Sequence, residues 1–114
     1  MNRYIVLYLA PKNVSERFAQ ATPEEAQHGL KLWIDWNTKL GSSLLDLGKP
    51  LGHAMRVTPT SVGSADSNII GMSILQAESM DSALEMVKDH HHLHWDVGCE
   101  ILLLEELPIP ELQA

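Results

Sequence analysis

The sequence predicts an α+β domain in the order strand, helix, strand, strand, helix, strand. Two observations carry this. Apolar runs rich in Ile, Val, Leu and Tyr occupy residues 3–10, 44–51, 68–77 and 99–107, each bounded by Pro, Gly or polar residues. Two amphipathic segments with N-terminal capping signals, starting at Thr22 and Ser79, lie between them. At 114 residues, 45% of them apolar, the chain is expected to form one domain across 1–114 with a core of its own.

The first strand, 3–10, stops at Pro11, which cannot donate to a ladder. The polar stretch 12–21 reads as a connection with one helical turn. Thr22-Pro23-Glu24-Glu25 is a strong helix start: Thr22 caps, Pro23 suits the first helical position and Glu25 completes a capping box. Ala26, Leu30, Trp33 and Leu40 trace one face, and Gly41 ends the helix. The second strand, 44–51, kinks at Gly48 or Pro50, and 54–58 extends it. A polar turn fills 59–67, and the third strand follows over 68–77. Ser79 and Asp81 start a second helix with Ala83, Leu84 and Val87 inward, flanked by Met80 and Met86. It ends near Asp89 or His90. Gly98 opens the last strand, which Pro108 and Pro110 terminate.

This order is the split βαβ, or ferredoxin-like, arrangement: a four-stranded antiparallel sheet with two helices on one face. The strands are apolar on both sides. Ile5, Leu7 and Leu9 oppose Tyr4, Val6 and Tyr8, and Ile70, Met72 and Ile74 oppose Ile69 and Leu75. Leu102 and Leu104 oppose Ile101 and Leu103. Two helices cover only one face, and a half-exposed sheet should alternate apolar with polar. The expected cover is a second identical chain, giving a homodimer through the open sheet face.

Fifteen acidic against eight basic residues leave a net charge of −7, which argues against nucleic acid or an anionic membrane as partner. The longest apolar run, 4–10, is far too short to span a bilayer. The lone Cys99 cannot form an internal disulfide, so a reduced, cytoplasmic setting with a buried packing thiol is expected.

The sequence resembles the YCII-related family of small dimeric α+β-barrel proteins. The resemblance runs through Tyr4-Ile5-Val6-Leu7-Tyr8, the Pro-Glu-Glu helix start carrying His28, and the leucine-rich stretch from Leu44 to Pro50 and Leu51. It continues in Gly71-Met72-Ser73-Ile74-Leu75, the helix entry from Ala77 to Ala83, and Asp89-His90-His91-His92-Leu93. It implies a barrel-forming dimer. It also implies a catalytic pair of a histidine near the start of the first helix and an aspartate after the second, here His28 and Asp89. A histidine exchanges protons near neutral pH, and a carboxylate on its other nitrogen fixes the tautomer. A proline usual near His91 is absent, as is the Asp-Gly-Pro-Phe stretch of a related subgroup.

Other candidates line a ligand pocket. His53 follows Gly52 in a loop, and Arg56 can grip a carboxylate through two parallel bonds. His90 and His92 belong to a histidine run with His91 and His94, and Trp95 walls a pocket. In an extended segment His90, His92 and His94 would share one side and could hold zinc. The alternatives are a polar rim to a cleft, or cations at a helix C-terminus, and no metal is assigned. Trp33 and Trp36 read as core, with pocket lining as the alternative. Asp46 faces a cavity or solvent. The expected function is a cofactor-free acid/base enzyme, eliminating or isomerising a small metabolite, with aromatic ones among the candidates. The alternatives are a non-catalytic dimeric module binding a small ligand and a purely structural partner protein.

Overall fold

The computed structural model describes residues 1–12, 16 and 20–110. Most of the connection expected at 12–21 therefore lies outside the described residues. The strands are β1 (Asn2–Leu9), β2 (Leu44–Pro50), β3 (Met55–Val57), β4 (Val62–Ser64), β5 (Ile69–Ala77) and β6 (Glu100–Glu105). The helices are α1 (Pro23–Leu40) and α2 (Met80–Val87). A four-stranded sheet runs β2-β5-β1-β6, with antiparallel pairing throughout. With helices α1 and α2 of the described residues it makes an α+β architecture compatible with a ferredoxin-like fold.

The capping signals act as read. Glu25 N–H donates to Thr22 Oγ1 at 3.1 Å, and Thr22 N–H donates back to Glu25 Oε1 at 3.4 Å. Ser79 Oγ accepts from Ser82 N–H at 3.1 Å. At the C-cap of α1, Gly41 has φ +55 and its N–H reaches Asn37 O, a conformation glycine adopts without steric cost.

Both helices contribute to one core on the face carrying Tyr4, Val6 and Tyr8, where Trp36, Ala83 and Val87 pack with Leu44, Leu75 and Ala77. Trp36 Nε1–H donates to Met86 O at 3.3 Å, tying the helices together. The inward stripe of α1 is Gly29, Leu32, Trp33, Trp36 and Leu40. Ala26 and Leu30, expected inward, are exposed, because the helix turns its two tryptophans toward the sheet. Leu84 of α2 is exposed as well, and Met86 takes the packing position beside Val87.

The opposite sheet face is uncovered. Ile5, Leu7, Leu9, Met72 and Ile74 are only half-buried, and Leu102 and Leu104 are 51% and 45% exposed.

The segment after β2 departs from expectation. Residues 55–57 do not lengthen β2; they form a separate hairpin with 62–64, which lie in the region expected to be a turn. The chain is redirected before it gets there. Gly48 has φ +90, Asp46 Oδ1 accepts from its N–H at 2.8 Å, and the β2–β5 register shifts across this bulge. A Cβ on Gly48 would lie 1.5 Å from Met72 O, so only glycine fits. His53, at φ +55, makes the second bend.

Candidate functional site

A polar network crosses the core at the end of β1. Tyr8 lies on β1 and Ser73 on β5, facing the helices; His90 follows α2, and a 3₁₀ turn covers His91–His94. Ser73 Oγ donates to Leu47 O at 2.5 Å, so the Tyr8 hydroxyl, 2.8 Å away, donates to Ser73 Oγ. His92 N–H donates to His90 Nδ1 at 3.0 Å. The His90 proton therefore sits on Nε2, which lies 3.5 Å from the Tyr8 oxygen and donates toward it. The bonds run in one direction from His92 N–H to the Leu47 carbonyl.

Burial sets the protonation states. His90 is 2% exposed. Desolvation, helped by the neighbouring His91 and His92, lowers its pKa to about 3. His91 falls to about 4, through burial and then His92. Burial pushes the Tyr8 phenol well above its usual range, against a smaller opposing effect of the Ser73 bond. All three groups are neutral at physiological pH. The rings pack edge-on around them: Trp36 and Trp33 have centroids 4.4 and 4.9 Å from His90, and His91 stacks on it at 4.1 Å. His91 Nε2 is buried with no hydrogen-bond partner among the described residues.

His92 is 4% exposed, and its Nε2 donates to Leu9 O at 2.9 Å. The segment is thus a 3₁₀ turn, not an extended strand. His90 and His92 face inward, and His94 faces solvent. The one-sided trio of His90, His92 and His94 does not form. Among the described residues no group of three or more His, Cys, Asp or Glu side chains converges to hold a metal ion.

His28 and Asp89 are both exposed, on α1 and after α2 respectively, and no hydrogen bond or ion pair joins them. His28 instead lines an open depression of about 390 Å³ with Glu24, Glu25, Gly29, Leu32 and Trp95. Glu24 and Glu25 precede His28 by four and three positions, so they share its face of the helix. Trp95, sixty-seven positions later in the sequence, brings an aromatic wall. His53 lines a second, wider depression of about 1060 Å³ at the base of the hairpin, with Lys12, Asp66 and Asn68 among its neighbours. Arg56 sits on β3, opposite Gly63. His90 and His92 border neither depression.

The five pocket candidates therefore divide among the two depressions, the hairpin and the core. Tyr8 and Ser73 were missed as site residues. Their only sequence signal is a polar atom on the inward face of an apolar strand. Cys99 is buried against Ala10 and Ile70. Among the described residues no helix is long and apolar enough to cross a membrane. No family model matches the chain, and comparison with curated proteins gives no match either.

Proposed function

We propose that the protein is a YCII-like homodimer of the dimeric α+β-barrel type, with a ferredoxin-like protomer, and that it receives a small molecule beside His28. The observation that carries the ligand reading is the depression where His28, two carboxylates and Trp95 meet. An aromatic wall beside a proton-exchanging imidazole suits a small, flat, polar metabolite. His28 is the acid/base group for a cofactor-free elimination or isomerisation. Asp89 makes no bond to it, and the carboxylates that share its depression are Glu24 and Glu25. The missing orienting bond also favours a second reading, a non-catalytic module that binds the same class of ligand.

The uncovered apolar face of β5, β1 and β6 supports the dimer. An ordinary interface takes roughly 800 Å² per partner, and a two-fold contact of this face on itself would bury its half-exposed Leu102 and Leu104. We assign the dimer to the cytoplasm, where a single buried thiol stays reduced.

A thermal-shift screen of small aromatic acids, ketones and lactones tests the ligand site. A true ligand raises the Tm of the wild type and loses that effect in Trp95→Ala. Compounds that stabilise both proteins equally would remove the site. Turnover of a ligand found this way, abolished in His28→Ala with binding retained, separates the enzyme from the binding module.

A further inference from the structure

We propose that the β3–β4 hairpin is an arm that lies on a second copy of this chain. The inference rests on the homodimer reading and adds a second contact to it.

The hairpin is one-sided. Met55, Val57 and Val62 share a face, because Val57 pairs with Val62 and Met55 lies two residues from Val57. These three side chains are 60%, 73% and 69% exposed. The other face carries Arg56 opposite Gly63. The ladder is three residue pairs long, closed by a turn in which Thr58 N–H donates to Ser61 O at 2.8 Å. A lone two-stranded hairpin of this kind is marginal in water. An apolar face on such an element is stabilising only when something apolar covers it.

Its own sheet does not. The molecule measures 49 × 45 × 21 Å. One helix layer on one sheet accounts for the short dimension, and a third layer would add about 10 Å. The hairpin therefore extends in the plane of the layers and leaves the chain's own open face bare.

Surface area points to a second copy as the occupant. A compact protein of 12.7 kDa exposes about 6,200 Å², whereas this chain exposes 8258 Å². The radius of gyration is 16.0 Å, against about 13 Å for a compact chain of this length. The excess, roughly 2,000 Å², is more than twice what a standard interface takes from each partner. The sheet face and the hairpin both contribute exposed apolar surface to it. The chemistry matches too: an apolar ridge meets the apolar centre of the sheet face at Leu7, Met72 and Leu102, with Asp46, Lys49 and Glu100 at its margins.

Sedimentation equilibrium of the full chain tests this, comparing wild type with the triple variant Met55→Gln, Val57→Thr, Val62→Thr. These changes keep strand propensity and touch no core residue. The expected result is a dimer whose Kd rises at least tenfold in the variant, with unchanged far-ultraviolet circular dichroism. A photoreactive phenylalanine replacing Val57 should cross-link to the sheet of an isotope-labelled partner. Equal dimer affinity in the variant, or cross-links confined to one subunit, overturns the arm and leaves the sheet-face dimer standing. A wild type that sediments as a monomer overturns both.

Discussion

The imidazole of His90 donates its Nε2–H toward the Tyr8 hydroxyl oxygen, 3.5 Å away, while its Nδ1 accepts from His92 N–H at 3.0 Å. Only the neutral ring with its proton on Nε2 makes both contacts. A second proton would land on Nδ1 and face a backbone N–H.

Acid should therefore destabilise the fold through these histidines. The folded pKa values of His90 and His91, about 3 and about 4, lie below the ordinary 6.5. Between those limits the unfolded chain binds more protons, so stability rises with pH. It is complete above about 6.5 and is lost as pH falls toward 4. Each proton contributes a slope of up to about 1.4 kcal/mol per pH unit, less for His91, which keeps some solvent contact. Urea titrations from pH 7 to 4 measure it. His90→Gln should flatten the curve, and an unchanged slope would place the acid sensitivity elsewhere.

Tyr8→Phe removes one hydroxyl and strands two partners, Ser73 Oγ and His90 Nε2–H. The expected cost is about 1–3 kcal/mol, read as a lower urea midpoint with an unchanged m-value. Ser73 keeps its bond to Leu47 O, so Tyr8→Phe combined with Ser73→Ala should cost less than the sum of the two single changes.

Gly48→Ala should be among the most damaging single changes in the chain. The position combines φ +90 with a carbonyl 1.5 Å from the new Cβ. The β2–β5 pairing would have to move to admit a methyl group. We expect a loss of roughly 3 kcal/mol or more. Gly52→Ala, where a Cβ meets nothing within 4 Å, is the control and should be mild in thermal denaturation.

Thr22→Ala removes the cap of α1 and half of its box. A loss of about 1 kcal/mol is expected. Amide hydrogen exchange should show faster opening at Glu24, Glu25 and Ala26, with α2 unaffected. Because Glu24, Glu25 and His28 sit in the first turns of α1, ligand affinity in the His28 depression should fall in parallel.

Local signals were legible and distant ones were not. The caps at Thr22 and Ser79 span three residues, so the sequence displays both partners. Strand faces followed from alternation through most of β1 and β5, but Ile70, expected beside Met72 and Ile74, packs against the core next to the register shift at Tyr8 and Leu9. The hairpin was hidden because three-residue strands carry no period, and the Gly48 bulge that redirects the chain depends on its fit to Met72. Trp36 shifted the inward face of α1 because its indole finds Met86 O on the other helix. The histidine run was misread because its 3₁₀ form comes from docking: Tyr8 and His90 are 82 positions apart. Of the site, the sequence indicated His28 and Trp95 separately, but only folding makes them neighbours.

The bond from His92 Nε2 to Leu9 O pins the stretch that leads into Trp95 to the end of the central strand. The His92 N–H to His90 Nδ1 bond holds the same stretch a second time, and it is this bond that needs an unprotonated nitrogen, because Nδ1 of His90 is its acceptor. Protonation of His90 in strong acid, toward its pKa of about 3, should therefore loosen the stretch that carries Trp95 together with the core network. The aromatic side of the ligand seat and the buried imidazole would share one acid limit.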